Sequence, residues 1–221
     1  MEPTKNLEER IKRVEDMLEV QNLMGRYEYM HTAGMHKEVL DLYALKSADV
    51  SMEIAHWGKW EGPEAVRKAM VGVHQQAEHV QYGVMAVHAL ASPVIEVAED
   101  GKTARAVWVS PGFESIPERN GELGATWCWC KYGCDFTKED GKWKIWHSHV
   151  YRIFDTPYDQ SWVETSKPGA RRALVDTDWV PDELRGNRPT TYDHPYSISS
   201  LPEYVPAPPE PYKTFDKKKR Y

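Results

Sequence analysis

The chain has 221 residues, 41% hydrophobic and 28% charged, with a formal net charge of −6. That length fits one domain of ordinary size with room for an extension, and the acidic balance excludes the basic footprint expected of a nucleic-acid-binding protein. No apolar run approaches the ~18 residues needed to span a membrane, and the charged start MEPTKNLEERIKRVEDM lacks the apolar core of a signal peptide, so the expected location is cytoplasmic.

The first predicted element is a long helix over 5–32. Leu7, Ile11, Val14 and Leu18 recur at a four-three-four spacing and make one apolar stripe, with Glu, Lys and Arg on the other faces. Flanks so charged suit packing on a neighbouring subunit or on the domain edge. The helix ends in GRYEYMHTAGMHKEVLDLYA, residues 25–44, where Tyr27, Tyr29 and His31 are all groups that move protons. Tyr27 and His31 lie four apart and share a face. They read either as a pocket wall or as aromatic packing with the hydroxyl at a rim. A turn at Ala33-Gly34 leads to a second helix over about 36–46. VSMEIAHWGKWEG, 50–62, reads as a strand and a turn. Gly62-Pro63 opens a third helix, with Pro63 in the first turn and Val66, Ala69, Met70 and Val73 as its buried stripe.

From about residue 84 the period changes to two. Strands are expected over 84–98, 103–115, 125–139 and 142–154, joined by EDGK (99–102), ERNG (118–121) and EDGK again (139–142). Asp-Gly between alternating runs is a hairpin signal. Helices followed by a meander define the α+β class, with helices on one face of a curved antiparallel sheet. Cys128, Cys130 and Cys134, with His147 and His149 nearby, offer metal-ligand types. Their odd count, and the alternation of Cys128 and Cys130 with Trp127 and Trp129, favour buried reduced thiols instead. The chain divides into a domain over 1–155 and an extended arm over 156–221. The arm holds ten of the fifteen prolines, a short helix near 168–175, and the aromatic residues Trp162, Trp179, Tyr192, Tyr196, Tyr204 and Tyr212. So aromatic a segment packs along the domain or a partner chain rather than remaining a disordered linker. The terminal Lys217–Arg220 run reads as solvated.

Taken in order, GRYEYMHTAGMHKEVLDLYA, VSMEIAHWGKWEGPEAVRKAM, HALASPVIEVAEDGKTARA and EDGKWKIWHSHVYRIF make the chain resemble the SnoaL-like branch of the nuclear-transport-factor-2-like superfamily over roughly residues 7–154. The resemblance implies a conical α+β barrel, and within the branch it points to the cofactor-independent dehydratases and lyases. In these a helix-end tyrosine, a histidine before the first long strand and an arginine in the last strand line the cone, which here implies Tyr27, His88 and Arg152. The acids of that pattern fall at Thr32 and near Gly112, and neither residue is acidic.

Elimination of water needs a base for a carbon-bound proton, an acid for the departing oxygen and stabilisation of the charge between them. His88 can serve as base or acid near neutrality, and Tyr27 can donate to a leaving hydroxyl or an oxyanion. Arg152 shares strand parity with Val150, Ser148 and Trp146. Buried, it needs an anion, supplied by the substrate or by Glu96 or Asp155. Lys131 alternates with Trp129 and Trp127 and has the same potential. Tyr29, His31, Trp57, Trp108, Trp129 and Lys131 are expected to contact the substrate, since flat rings suit flat ligands. The expected activity is a lyase that removes water from a hydroxylated, phenolic substrate, with formaldehyde as a further leaving fragment, in the manner of the diarylpropane lyases. The alternatives are a hydro-lyase on a steroid or polyketide-like alcohol, an isomerase or cyclase, and a non-catalytic binding or oxygenase-subunit-like protein. No cofactor or metal is expected. The expected partners are a small-molecule substrate and further copies of the chain, a trimer by family resemblance.

Overall fold

The first helix begins and ends where the sequence supplies caps. A computed structural model describes residues 6–78, 82–117, 122–167 and 182–221. Helix α1 spans Leu7–Thr32. The Asn6 side chain accepts the Glu9 amide at 2.9 Å, and Glu8 and Glu9 complement the positive helix end. At the other end Gly34 takes a φ of +69°, which lets the Met35 amide donate to the Met30 carbonyl at 2.9 Å and close the turn. The buried face is Asp16, Val20, Leu23, Met24, Tyr27 and His31. The stripe Leu7, Ile11, Val14 and Leu18 is instead 50–68% exposed. Two residues advance the helix by about 200°, so Leu18 and Val20 point to opposite sides.

The expected second helix is shorter: α2 spans His36–Val39 and closes with a 3-10 turn at Leu40–Leu42, after which Tyr43 turns extended. The expected single strand at 50–62 is a hairpin, β1 (Ser51–Ile54) and β2 (Gly58–Glu61), around a 3-10 turn at Ala55–Trp57. Helix α3 (Pro63–Arg67) starts with Pro63 in its first turn and continues as a π-helix over Lys68–Glu78. Val66, Ala69, Met70 and Val73 are fully buried, as their spacing predicts.

The expected strand 84–98 breaks into β3 (Met85–His88) and β4 (Ala91–Val97). Ser92 at φ +50° and Pro93, which has no amide to donate, set a bulge between Ala91 and Val94. Both pieces pair with β5 (Thr103–Pro117), followed by β6 (Leu123–Glu139) and β7 (Lys142–Pro157). The second EDGK forms a two-residue hairpin, with Asp140 and Gly141 at φ +51° and +74° and Glu139 opposite Lys142. The ERNG turn and the short helix near 168–175 lie outside the described residues. The strand order is β2-β1-β7-β6-β5-β3, with β4 also on β5. The β1–β7 pair is parallel, so the curved sheet is mixed rather than wholly antiparallel, and it does not close.

Two register shifts on β7 decide which side chains face the helices. Ile153 is skipped between Arg152 and Phe154, and Trp146 between Ile145 and His147. Arg152, Val150 and Ser148 therefore face inward with Cys128, Cys130, Tyr132 and Cys134. Trp146 leaves that face, donating its indole N–H to Asp49 at 2.8 Å and packing on Phe215. The outer face carries Lys131, Gly133, Asp135, His147, His149 and Tyr151, and the segment from Asn187 to Tyr221 lies along it. Arg188 pairs backbone to backbone with Lys59, Thr190 and Thr191 donate to Glu53, and the Tyr221 amide donates to Asp135. The Tyr221 ring covers Gly133, where a Cβ would come within 2.8 Å of it, and stacks under the Arg105 guanidinium.

Candidate acid/base site

The end of α1, the π-helix, the turn at Ala55–Trp57 and the inner face of β5–β7 enclose a cavity of about 60 Å³. Tyr27, His31, Trp57 and His74 form its helical and turn side, and His88, Glu114, Cys128, Cys130, Tyr132 and Arg152 its sheet side.

His88 ends β3 directly opposite Gly112 on β5. A Cβ at position 112 would lie 2.7 Å from His88 Nδ1 and 2.8 Å from the Val87 carbonyl, so the missing side chain is what admits the ring. His88 Nε2 lies 3.1 Å from a Glu114 carboxylate oxygen, and its backbone N–H donates to Glu28 Oε1 at 2.7 Å. Burial opposes a charge on His88. The hydrogen bond and charge of Glu114 outweigh it, with Cys130 and Glu28 adding, and push the imidazole up to about 9. Glu28 also accepts from the Thr32 hydroxyl at 3.1 Å, and burial raises its carboxyl above the usual range against the pull of His88.

Glu28 and Glu114 are the acids that sequence reasoning missed. It looked for them at Thr32 and Gly112. They stand one helical turn earlier and one inward strand position later, on the same faces. That i−4 and i+2 offset was the available signal. With acids present, the substrate is not needed as the source of negative charge. Arg152 is held by Asp155, one of the two partners expected for it, while Glu96 pairs with Arg13.

Tyr27 and Tyr132 meet edge to face at 6.4 Å between centroids. Burial above all, then the neighbouring Tyr43 and Glu28, hold the Tyr27 phenol well above its usual value, so it acts as a donor. His31 sits at the centre of a ring cluster, 5.2–5.7 Å from His36, His74 and His88. His74 Nδ1 lies 2.8 Å from the Ala69 carbonyl. A carbonyl only accepts, so Nδ1 is the donor in this contact. The sequence reading passed over His36, His74 and Tyr132 because nothing local distinguishes them from core residues. Cys128 and Cys130 are free, buried thiols whose sulfurs are 3.7 Å apart.

Of the residues expected to contact substrate, the structure brings His31 and Trp57 to the cavity with Tyr27, His88 and Arg152. Four lie elsewhere. Tyr29 is 84% exposed, because it is two positions from the buried Tyr27 and Tyr27 and Tyr29 point apart on a helix. Trp129 and Lys131 occupy the outer face, since the cysteines between and beside them take the inner one. Trp129 stacks on Phe154 and Lys131 donates to the Val205 carbonyl at 2.7 Å. Trp108 is on an inner face but packs edge-on against Phe136 in the core.

The family model described as SnoaL-like domain matches residues 12–149. The chain is a member of the SnoaL-like family. No curated protein matches it at the level of sequence. Solved structures share the SnoaL-like fold at low identity. A candidate scytalone dehydratase from Novosphingobium aromaticivorans aligns with a TM-score of 0.56 and 18% identity, over 69% of this chain and 93% of that one. A hexachlorocyclohexane dehydrochlorinase, LinA-type3 from Novosphingobium barchaimii, aligns with a TM-score of 0.56 and 14% identity, over 69% and 96%. An NTF2-like protein with a cystatin-like fold, also from N. aromaticivorans, gives 0.51 and 20%, over 73% and 94%.

Proposed function

We propose that this protein is a cofactor-independent lyase that eliminates water from a hydroxylated aromatic substrate. The observation that carries the reading is the pair of buried His88 and half-buried Glu114 at 3.1 Å, set in a cavity that also presents Tyr27, His74 and Arg152. Elimination needs an acid and a base on different sides of the substrate. On this reading His74 Nε2 takes the carbon-bound proton, the C=C bond forms, the C–O bond breaks, and His88 passes its Nε2 proton to the departing oxygen. Water leaves, and the proton taken up by His74 returns through solvent to His88, whose charged form Glu114 stabilises. The Tyr27 hydroxyl and Arg152 hold charge that builds on the substrate.

Trp57, Tyr27 and Tyr132 on the walls favour a flat ring. The cavity's 60 Å³ is below the ~300 Å³ of a small ligand pocket, so binding a ring displaces part of the wall. The turn that carries Trp57 is the segment we expect to move. The names of two structural neighbours, a dehydratase and a dehydrochlorinase, describe eliminations and agree with this reaction class.

Mass spectrometry of wild type and His88→Ala incubated with phenolic diols and steroid-like alcohols tests the reading. Wild type is expected to release product lighter by one water, and His88→Ala to lose ~10²-fold or more of that rate. Product of unchanged mass would point to an isomerase, and formaldehyde release would move the cleavage to a C–C bond. Turnover by His88→Ala at the wild-type rate would sink the assignment of the acid.

A further inference from the structure

The cavity wall also holds a donor set that the proton-transfer reading uses only in part. We propose that Cys128 Sγ, His88 Nε2 and a Glu114 carboxylate oxygen form a binding site for a thiophilic divalent cation of the zinc class, with the fourth position open to the cavity. The sequence points toward metal only through the C-x-C pair with His147 and His149. Those histidines sit on the outer face, beside Asp135 and Glu53 respectively. The fold places a different histidine, 40 residues before Cys128 in the chain, against the thiols.

Three observations carry the assignment. First, one donor atom from each of His88, Glu114 and Cys128 lies within 4.8 Å of the others. A tetrahedral ion with bonds of about 2.0–2.3 Å spaces its ligands by roughly 3.3–3.8 Å. The His88–Glu114 separation of 3.1 Å falls just below that range, so the pair need open only slightly to take an ion. Second, the donors are drawn from chemistries that favour zinc or cobalt over magnesium or calcium, with one sulfur, one nitrogen and one oxygen. Third, the histidine is held from behind. Its backbone N–H is bonded to Glu28, and Gly112 gives its ring a seat, which fixes where the ring stands.

Charge closes as well. A divalent ion displaces the proton between His88 and Glu114 and the proton of Cys128. Two positive charges then face one thiolate and one carboxylate. Arg152 keeps Asp155 as its partner, and it offsets Cys130 should that thiol also ionise. Because the ion takes the His88 lone pair, the metal-bound form cannot pass a proton through His88. The site goes beyond the lyase reading and does not depend on it.

The test is a cobalt titration of the full-length protein after chelator treatment. One equivalent of Co²⁺ is expected to bind and produce a thiolate-to-cobalt charge-transfer band, which Zn²⁺ then abolishes. Cys128→Ser is expected to lose the band. Glu114→Gln, which leaves both thiols in place, is expected to weaken binding by more than the roughly tenfold that loss of an outer-shell partner costs. Near-ultraviolet circular dichroism of each variant checks that it is folded. Binding well below one equivalent, or a band unchanged in Cys128→Ser, overturns the site. That failure leaves the lyase reading intact, whereas absence of turnover in metal-free protein would overturn the lyase reading and leave the titration unaffected.

Discussion

At residue scale, position 112 shows how a missing side chain can shape a site. The inner face of β5 runs Trp108, Ser110, Gly112, Glu114, and only the glycine leaves room for the His88 ring across the β3–β5 pair. Gly112→Asp, which would place an acid where the family pattern has one, is therefore expected to expel His88. The expected cost is about 1–3 kcal/mol for overpacking, read as a lower urea midpoint, together with loss of turnover. Glu114→Gln keeps the volume and removes the charge beside His88. It is expected to fold normally and to lose ~10²–10⁴ in rate. Equal midpoints for Gly112→Asp and wild type would contradict the steric account. Both glutamates were visible in the sequence, yet neither stood where the resemblance placed an acid. A one-turn offset on α1 and a two-residue offset on β5 preserve the face, and the face determines what a side chain reaches.

At element scale, α1 is pinned to the sheet by Asp16. Its carboxylate accepts from the Trp143 indole and the Lys138 ammonium, each at 2.9 Å, and lies 3.2 Å from Lys12. Burial alone would raise its pKa, but the hydrogen bonds from Lys138, Trp143 and Lys12 outweigh it and hold the group below the usual 3.8. The folded value is thus depressed. Its stabilisation is fully present above the unfolded value and is lost as pH falls through the folded one. Asp16→Ala leaves a buried N–H unpaired and is expected to cost about 1–3 kcal/mol at neutral pH. The difference in urea midpoint between variant and wild type is expected to be larger at pH 7 than at pH 3, a decrease that comparing the two proteins at both values checks. The apolar periodicity of α1 misled for a related reason. Its most regular stripe is the exposed one, and the buried face contains Asp16 and His31, which no apolar template selects.

At the scale of the whole molecule, the chain's end packs on the back of the sheet that forms the cavity's floor. Glu53 and Asp135 are 2% and 0% exposed, and each accepts bonds from the final 35 residues, Glu53 through Thr190 and Thr191 and Asp135 through the Tyr221 amide. Burial and Lys59 outweigh Glu53 and push the neighbouring His149 down to about 4, so it is neutral at physiological pH. The Thr190 and Thr191 bonds thus carry much of the carboxylate's compensation. Glu53→Ala is expected to loosen the segment around Arg188 and speed tryptic cleavage there, with the cleavage rate followed by mass spectrometry. Tyr221→Ala removes a guanidinium–ring contact worth about 0.5–1 kcal/mol at exposed sites and is expected to lower the thermal midpoint slightly. No change in cleavage for Glu53→Ala would show that the segment is held by other contacts.

Caps, turns and most strand positions were legible in the sequence because they are set by residues within a few positions of one another. Asn6, Gly34, Pro63 and Asp140-Gly141 act locally, and the period-two runs beyond residue 100 carry their own faces. The alternation also correctly set Cys128 and Cys130 against Trp127 and Trp129. Tyr27, His88 and Arg152 came from the family resemblance, which brought their approximate setting with it. What only the tertiary structure decided depends on register between distant strands. The skipped residues Trp146 and Ile153 choose which half of β7 faces inward. The β3–β5 pairing brings His88 to Glu114 and to the thiols, and Glu28 meets a backbone amide 60 residues away. Such distances follow from which strands pair and where they bulge, and no local pattern encodes that.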